Sequence, residues 1–171
     1  MPDSTERKLG NLPTITYPIQ EQQGYDKVGP GWTPLLEALD ETFTDILYSV
    51  IQNDRVAGVS FNENQNTEKP SVRILQVKEK FGGLRIYWKT EGVSHEFYQE
   101  IRGAVHLAEV LSLKTCERCG APGTQVETEV GPGNRMKWGR VLTLCERHHA
   151  ERRENKVEGK KFDLGNGDEV C

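Results

Sequence analysis

Four residues that could bind a metal ion fall in two short segments of the sequence. Cys116 and Cys119 stand two residues apart in TCERCGAPG. Cys145 and His148 repeat that spacing in LCERH. A two-residue spacing lets both side chains of a pair reach one ion while the backbone turns beneath it, and Gly120 permits the tight turn beyond Cys119. Three thiolates and one imidazole form a closed, tetrahedral donor set, so the pattern predicts one structural Zn²⁺ ion with these four ligands.

The identity of the fourth ligand has alternatives. His149 adjoins His148, and a spacing of three intervening residues from Cys145 also allows both to reach one ion. Cys171, the final residue, is a further candidate if the C-terminal segment folds back. We favour His148 because it reproduces the spacing of the first pair.

The segment between the two pairs is typical of a zinc-ribbon hairpin. GTQVETEV and RMKWGRVLTL are joined through the turn sequence GPGN at residues 131–134. A hairpin with a metal-binding turn at each end of its path is the layout of a zinc ribbon. We expect a helix after the second pair.

An amphipathic helix is predicted near the N-terminus, in GWTPLLEALDETFTDILYSVIQ. Thr33 is the expected N-cap and Pro34 the first helical position. Apolar residues recur at steps of three and four, which places them on one side of the helix. They are Leu36, Leu39, Phe43, Ile46, Leu47 and Val50.

A β-hairpin and a second helix follow. SVRILQVKEK and LRIYWKTEG predict two antiparallel strands joined at Gly82-Gly83 by a tight turn that needs positive φ. Ser94 is the expected cap of the second helix. The inward residues predicted for the strands are Val72, Ile74, Val77, Leu84, Ile86 and Trp88, and those for the helix are Phe97, Ile101, Val105, Ala108 and Leu111.

These elements predict an α+β fold in four parts. Residues 1–30 form an extended N-terminal arm, with partial disorder as the alternative. Residues 31–113 form a core of amphipathic helix, antiparallel hairpin and second helix. Residues 114–158 form the zinc-ribbon-like module with its C-terminal helix, and residues 159–171 form a flexible tail. A chain of 171 residues has room for one core with an appended module.

The composition and the lack of long apolar runs indicate where in the cell the protein is expected. The chain has a formal net charge of −4 and four cysteines, of which none fits a paired disulfide framework. The first ten residues lack the apolar run of a signal peptide, and no stretch approaches the roughly 20 apolar residues of a membrane span. We therefore expect a cytoplasmic protein without membrane association, in which clustered thiols hold metal.

The sequence contains no complete catalytic motif of a known type, so we expect no enzymatic activity. LCERHHAER is similar to the closing half of an HNH nuclease, which also needs a central Asp-His pair to activate water. Between Gly120 and Leu144 there is no His and no Asp. A closed site of three cysteines and one histidine also leaves zinc no open position for a substrate.

A basic stretch near the C-terminus is a candidate surface for nucleic acid. Residues 131–161 contain 9 Lys and Arg but only 4 Asp and Glu. These Lys and Arg side chains could follow a phosphate backbone, and the one tryptophan among them could stack on a nucleobase. The alternative, which we favour, is a solvated helix surface on which glutamates form ion pairs with the Lys and Arg side chains. The candidate residues are Arg135, Lys137, Trp138, Arg140, Arg147, Arg152 and Arg153.

The glycine turn in KEKFGGLR is a second candidate surface. Lys78, Lys80 and Arg85 flank Gly82 and Gly83, and exposed turn amides can bind a phosphate or an acidic partner side chain. Sequestration of a small anionic signal molecule is one such function. An ordinary hairpin turn with charged neighbours is the alternative.

Several motifs together resemble a recurrent family of small proteins of tailed bacteriophages and prophages. They are GPGW, VKEKFGGLRIYW, AVHLAEVLS, TCERCGAPG and TLCERHH, and the resemblance spans about residues 29–150. It implies a phage protein that acts in the bacterial host cell. Together with the incomplete catalytic motifs, it leads us to expect a host protein as partner, such as a component of a defence system, with nucleic acid as the alternative.

Overall fold

The elements of the chain follow the predicted order. The computed structural model describes residues 24–56, 70–127 and 139–157. The predicted turn at 131–134, the tail at 159–171 and most of the N-terminal arm lie outside these ranges. The elements are α1 (Thr33–Val56), β1 (Ser71–Lys80), β2 (Gly83–Glu91), α2 (His95–Ser112), β3 (Thr124–Glu127), β4 (Val141–Leu144) and α3 (Glu146–Val157). This order confirms the predicted α+β fold.

The first helix confirms its predicted apolar side but not its predicted cap. Most of the predicted inward side chains of α1 are buried. The cap at Thr33 is wrong, because Thr33 has helical angles of φ −50° and ψ −48°. The chain enters α1 through a 3₁₀ turn, Pro30–Trp32, whose Trp32 amide donates to the Gly29 carbonyl.

The strands pair antiparallel as predicted, with an irregularity that explains the spacing of the inward residues. Ile74 lies opposite Trp88, whereas Gln76 lies opposite Tyr87, so a β-bulge interrupts the register. The bulge adds one residue to β1, which is why Ile74 and Val77 are both buried although they are three residues apart.

The turn of the hairpin lies one residue earlier than predicted. Lys80 pairs with Gly83, and the two residues between them, Phe81 and Gly82, have φ of 53° and 74°. Two central residues with positive φ match the twist of a two-residue hairpin turn. Gly83 is therefore the first residue of β2.

The second helix begins after Ser94, whose hydroxyl accepts from the Phe97 amide at 3.5 Å. Ile101, Val105 and Ala108 are buried as predicted, but Leu111 is exposed and Ser112 takes the inward position. The inward residues follow steps of four, three and four along the helix, and Leu111 stands one residue short of that sequence.

Helices α1 and α2 cover one side of the hairpin and enclose the main core. Trp32, Phe43, Val77, Leu84 and Ile101 are among its most buried side chains. A second, smaller core lies beneath β4 and contains Leu142 and Leu144. Within the described ranges, each helix is too short or too polar to cross a lipid bilayer.

Candidate metal centre

The first cysteine pair lies on a hairpin-like turn that follows α2. The Cys116 carbonyl accepts from the Gly120 amide at 2.9 Å, and the Cys116 amide donates to the Ala121 carbonyl at 2.7 Å. Gly120 has φ of 80°, which confirms the tight turn expected there. A bridge between Thr115 and Pro122 closes the turn.

The second pair lies where β4 passes into α3. Cys145 immediately precedes the helix, and its carbonyl accepts from the His149 amide at 2.9 Å. His148 lies in the first turn of α3, with its ring directed back towards Cys145.

The structure brings all four predicted ligands together. Their donor atoms lie within 4.8 Å of one another. His148 Nδ1 is 3.3 Å from the Sγ atoms of both Cys116 and Cys145, and Cys119 Sγ is 3.9 Å from Cys145 Sγ. Two sulfurs bound at about 2.3 Å to one tetrahedral ion stand about 3.8 Å apart, so the separations fit a zinc site.

The choice between the two adjacent histidines is resolved by burial. His148 is buried and belongs to the cluster, whereas His149 is half-buried and does not. Cys171 lies outside the described residues. His148 contributes Nδ1, which leaves Nε2 on the outer side of the centre.

Charged side chains surround that outer nitrogen. His148 Nε2 is 3.3 Å from Arg147 Nη2 and 4.0 Å from Glu151 Oε2. Glu151 also accepts from Arg118 Nη1 at 2.9 Å. Because Arg118 lies between the first two cysteines, this ion pair ties α3 to the opposite side of the centre.

Burial affects the protonation of the Cys116 ligand. It raises the pKa of the Cys116 thiol, and nearby backbone amides partly offset that effect. A buried thiol resists ionisation unless a cation is close by, so metal binding would displace the thiol proton. The donor set, with its soft sulfurs and one imidazole, suits zinc better than magnesium or calcium.

Glu117, between the first two cysteines, is a buried carboxyl group without a hydrogen-bond donor. It is 1% exposed, and neither carboxyl oxygen has a hydrogen-bond partner within the described residues. Burial raises its pKa to about 7, against the opposing attraction of Arg140. This carboxyl was not recognised from the sequence, because an acidic residue in a CxxC turn is normally solvent-exposed.

The loop that precedes α1 packs directly on the first cysteine turn. The Gly31 amide donates to the Glu117 carbonyl at 2.9 Å, and Trp32 Nε1 donates to the Thr115 carbonyl at 2.9 Å. A Cβ atom on Gly31 would lie 2.1 Å from the Cys116 carbonyl oxygen. The GPGW motif therefore packs against the first cysteine turn and helps to hold it in place. The sequence did not predict this contact, because the motif ends 84 residues before Cys116.

The turn of the β1–β2 hairpin packs on the ribbon strands. Thr143 Oγ1 donates to the Gly82 carbonyl at 2.5 Å, and Gln125 Nε2 donates to the Phe81 carbonyl at 2.7 Å. Arg140 Nη2 lies 3.0 Å from Glu79 Oε2. The KEKFGG segment thus connects the core to the metal module.

The same contacts occupy groups that were candidates for binding an anion. The Gly82 amide donates to Glu79 Oε1 at 2.9 Å, and Gly83 is buried against the Leu113 side chain. Arg85 Nη1 lies 3.9 Å from Glu109 Oε2. A ligand at the turn amide would have to displace the Glu79 carboxylate, and the anion role stays a prediction.

The candidate basic surface is only partly described. Arg135, Lys137 and Trp138 lie outside the described residues. Arg147 Nε lies 3.8 Å from Glu151 Oε1, and Arg140 pairs with Glu79, while Arg153 is exposed. Burial, and then Arg140, lower the pKa of Arg152. The internal ion pairs favour a solvated helix surface, and nucleic-acid binding here stays a prediction.

Comparison of the chain with family models, curated proteins and solved structures finds no match. The resemblance to phage proteins therefore depends on its motifs alone. Three groups of motif residues lie at or next to the metal centre: the GPGW loop, the KEKFGG turn and the two ligand pairs.

Proposed function

We propose that the chain is a zinc-stabilised, non-catalytic protein that binds another protein. The cluster of Cys116, Cys119, Cys145 and His148 supports a structural role for the metal, because protein atoms supply four donors for a tetrahedral ion. Such an ion contributes folding free energy on the order of 10 kcal/mol. It would fix the two ligand turns, the GPGW loop and the KEKFGG turn in one arrangement.

A fully occupied tetrahedral site also supports the absence of catalysis at the metal. Catalytic zinc keeps an open position for water or substrate. Here two of the ligands, Cys116 and His148, are 0% and 2% exposed, and the first cysteine turn is covered by the Gly29–Trp32 loop. The metal would therefore hold the fold while another surface binds the partner.

Three large apolar side chains on the outer side of α2 favour a protein as that partner. Leu107, Val110 and Leu111 are 58%, 43% and 42% exposed and stand at helical steps of three and four, so they form one apolar strip. Contiguous exposed apolar side chains on a well-packed helix are typical of protein-binding surfaces. The resemblance to phage proteins favours a host protein in the bacterial cytoplasm, including a component of a defence system.

Affinity capture with matched variants tests this proposal. Zinc-loaded protein would be immobilised, incubated with bacterial lysate, and the retained proteins quantified and then purified for direct binding measurements. Leu107→Glu places a charge in the apolar strip and should weaken binding of the specific partner at least about tenfold. Thr42→Glu adds the same charge at an exposed position of α1 and should leave binding unchanged.

Two results would contradict the proposal. Retention of the same proteins by Leu107→Glu and wild type would show that the apolar strip is not the binding surface. Catalytic turnover that is lost when the metal is removed and restored by zinc would contradict the structural role of the ion. Circular dichroism and zinc content of each variant establish that it is folded.

A further inference from the structure

The side of the β1–β2 hairpin that points away from α1 and α2 is rich in cations. Inward residues such as Val72, Val77 and Ile86 are buried, and the residues that alternate with them point outwards. We name this outward side the open face. Its cations are Arg73, Lys78, Lys80, Arg85 and Lys89.

Cations on the open face stand directly opposite one another across the two strands. Lys78 pairs in register with Arg85, and Arg73 pairs with Lys89. Like charges in directly opposed positions repel and disfavour strand pairing. Glu91 already interacts with both Arg73 and Lys89. The Lys78–Arg85 pair is therefore the stronger indication of an anionic ligand that would relieve the repulsion.

The carboxylates near the hairpin leave this positive charge only partly compensated. Glu79, between Lys78 and Lys80, is turned towards Gly82 and Arg140 instead. At the margins, Glu109 lies 3.9 Å from Arg85, and Glu91 lies 2.6 Å from Lys89 and also interacts electrostatically with Arg73. In the described part of the chain, no carboxylate lies within 4 Å of Lys78 or Lys80.

An exposed aromatic ring lies between the two pairs of cations. Tyr87 is 47% exposed and separates Arg85 from Lys89 on the same strand, at two-residue steps of about 7 Å. Lys78 Nζ lies 4.3 Å from the centre of the ring and covers one side of it. The step from cation to ring to cation is on the scale of one nucleotide in an extended strand, in which a base can stack between two phosphates.

We propose that the open face binds single-stranded nucleic acid, with phosphates on the Lys78–Arg85 and Arg73–Lys89 pairs and a base on Tyr87. An acidic protein would complement the charge but would not require the ring between the cations. A duplex would offer phosphates but no unstacked base. The open face is separate from the apolar strip of α2, so this inference does not depend on the proposed function.

Fluorescence anisotropy with the zinc-loaded full chain tests the inference. The probes are fluorescein-labelled 12-residue oligouridylate and oligothymidylate, with a labelled duplex and inorganic polyphosphate as comparisons. Contact with two phosphates predicts a log–log dependence of affinity on salt with a slope of about −1.4. The single strands should bind more tightly than the duplex.

Charge-reversal variants test whether oligonucleotide binding depends on the open face or only on the net charge of the protein. Lys78→Glu should weaken oligonucleotide binding at least about tenfold and, by replacing a repulsive pair with Glu opposite Arg85, should raise the melting temperature. Loss of binding by a stabilised variant cannot be attributed to unfolding. Lys114→Glu makes the same charge change at an exposed position near the end of α2 and should weaken binding less than about twofold.

Substitution of Tyr87 tests the contribution of base stacking without changing the charge of the open face. Tyr87→Thr keeps a strand-forming residue and should weaken oligonucleotide binding about tenfold while leaving polyphosphate binding unchanged. The inference is overturned if the wild type does not bind the single strands at 0.1 M salt. Equal loss with Lys78→Glu and Lys114→Glu, no effect of Tyr87→Thr, or tighter binding of the duplex would each overturn it as well.

Discussion

At the scale of single residues, the centre depends on one very close approach between backbone segments. Gly31 lies against the cysteine turn with space for a hydrogen and no more. Gly103, in the middle of α2, is a natural comparison, because no heavy atom lies within 4 Å of the position that its Cβ would occupy. The two glycines therefore have opposite structural roles.

Substitution of each glycine by alanine should show this difference. Gly31→Ala places a Cβ 2.1 Å from the Cys116 oxygen and should destabilise the protein by about 3 kcal/mol or more, with weaker retention of zinc. Gly103→Ala should stabilise it by about 0.5–1 kcal/mol, because alanine favours the helix. Denaturant unfolding measures both, and equal effects of the two substitutions would contradict the close packing of the GPGW loop.

A second prediction at this scale concerns the buried carboxyl group of Glu117. Its ionised form lacks a hydrogen-bond donor, so replacement by an apolar side chain of similar volume removes a cost of burial. Glu117→Met should raise the free energy of unfolding by about 1–3 kcal/mol at neutral pH. Glu154→Met, at an exposed position of α3, should change it by less than about 0.5 kcal/mol. Destabilisation by Glu117→Met would show that the carboxylate has a stabilising partner.

At the scale of elements, helix α2 protects the outer edge of the hairpin. The Leu84 amide donates to Ser112 Oγ at 2.8 Å, and the Ile86 amide donates to Glu109 Oε1 at 2.9 Å. Backbone amides at a strand edge otherwise remain available to other chains. Ser112 is therefore inward because β2 needs an acceptor at that position.

Removal of that acceptor should cost more than removal of an exposed hydroxyl. Ser112→Ala leaves the buried Leu84 amide without its acceptor and should destabilise the protein by about 1–3 kcal/mol. Ser49→Ala, which removes an exposed hydroxyl bonded to Asp45 within α1, should change stability by less than about 0.5 kcal/mol. Thermal and denaturant unfolding give the comparison, and equal effects would contradict edge protection by α2.

Elements with a strong local pattern could be predicted from the sequence, and their mutual contacts could not. The period of apolar residues located α1 and α2, and the repeated two-residue spacing identified the ligands, because both signals lie within a few residues. The spacing of apolar residues in α2 predicts Leu111 on the inward side, because Leu111 follows Ala108 by three residues. Its exposure follows from the requirement of β2 for Ser112, which is a long-range contact. The contact of Gly31 with the cysteine turn also joins residues that are far apart in the sequence, so it could not be predicted from a local pattern.

At the scale of the whole molecule, contacts join the metal module to the helical core at several places. Trp32 hydrogen-bonds to Thr115, Gly82 accepts from Thr143, and Arg140 pairs with Glu79. A structural ion whose ligand turns contact the core in this way should stabilise both parts. We therefore expect them to unfold as one cooperative unit.

Metal removal tests this cooperativity. In a variant with Trp32 as its single tryptophan, made by Trp88→Phe and Trp138→Phe, a strong zinc chelator should change the Trp32 emission and the helical circular dichroism signal together. Both signals should recover when zinc is restored. If the Trp32 emission and the helical signal persist after zinc has been removed, the core is independent of the metal module.

X-ray absorption at the zinc edge, combined with metal analysis of the purified chain, would identify the metal and its ligand atoms. We expect one zinc ion per chain, with three sulfurs at about 2.3 Å and one nitrogen at about 2.0 Å. Absence of zinc, or an oxygen from water in the coordination sphere, would contradict a closed structural centre formed by Cys116, Cys119, Cys145 and His148.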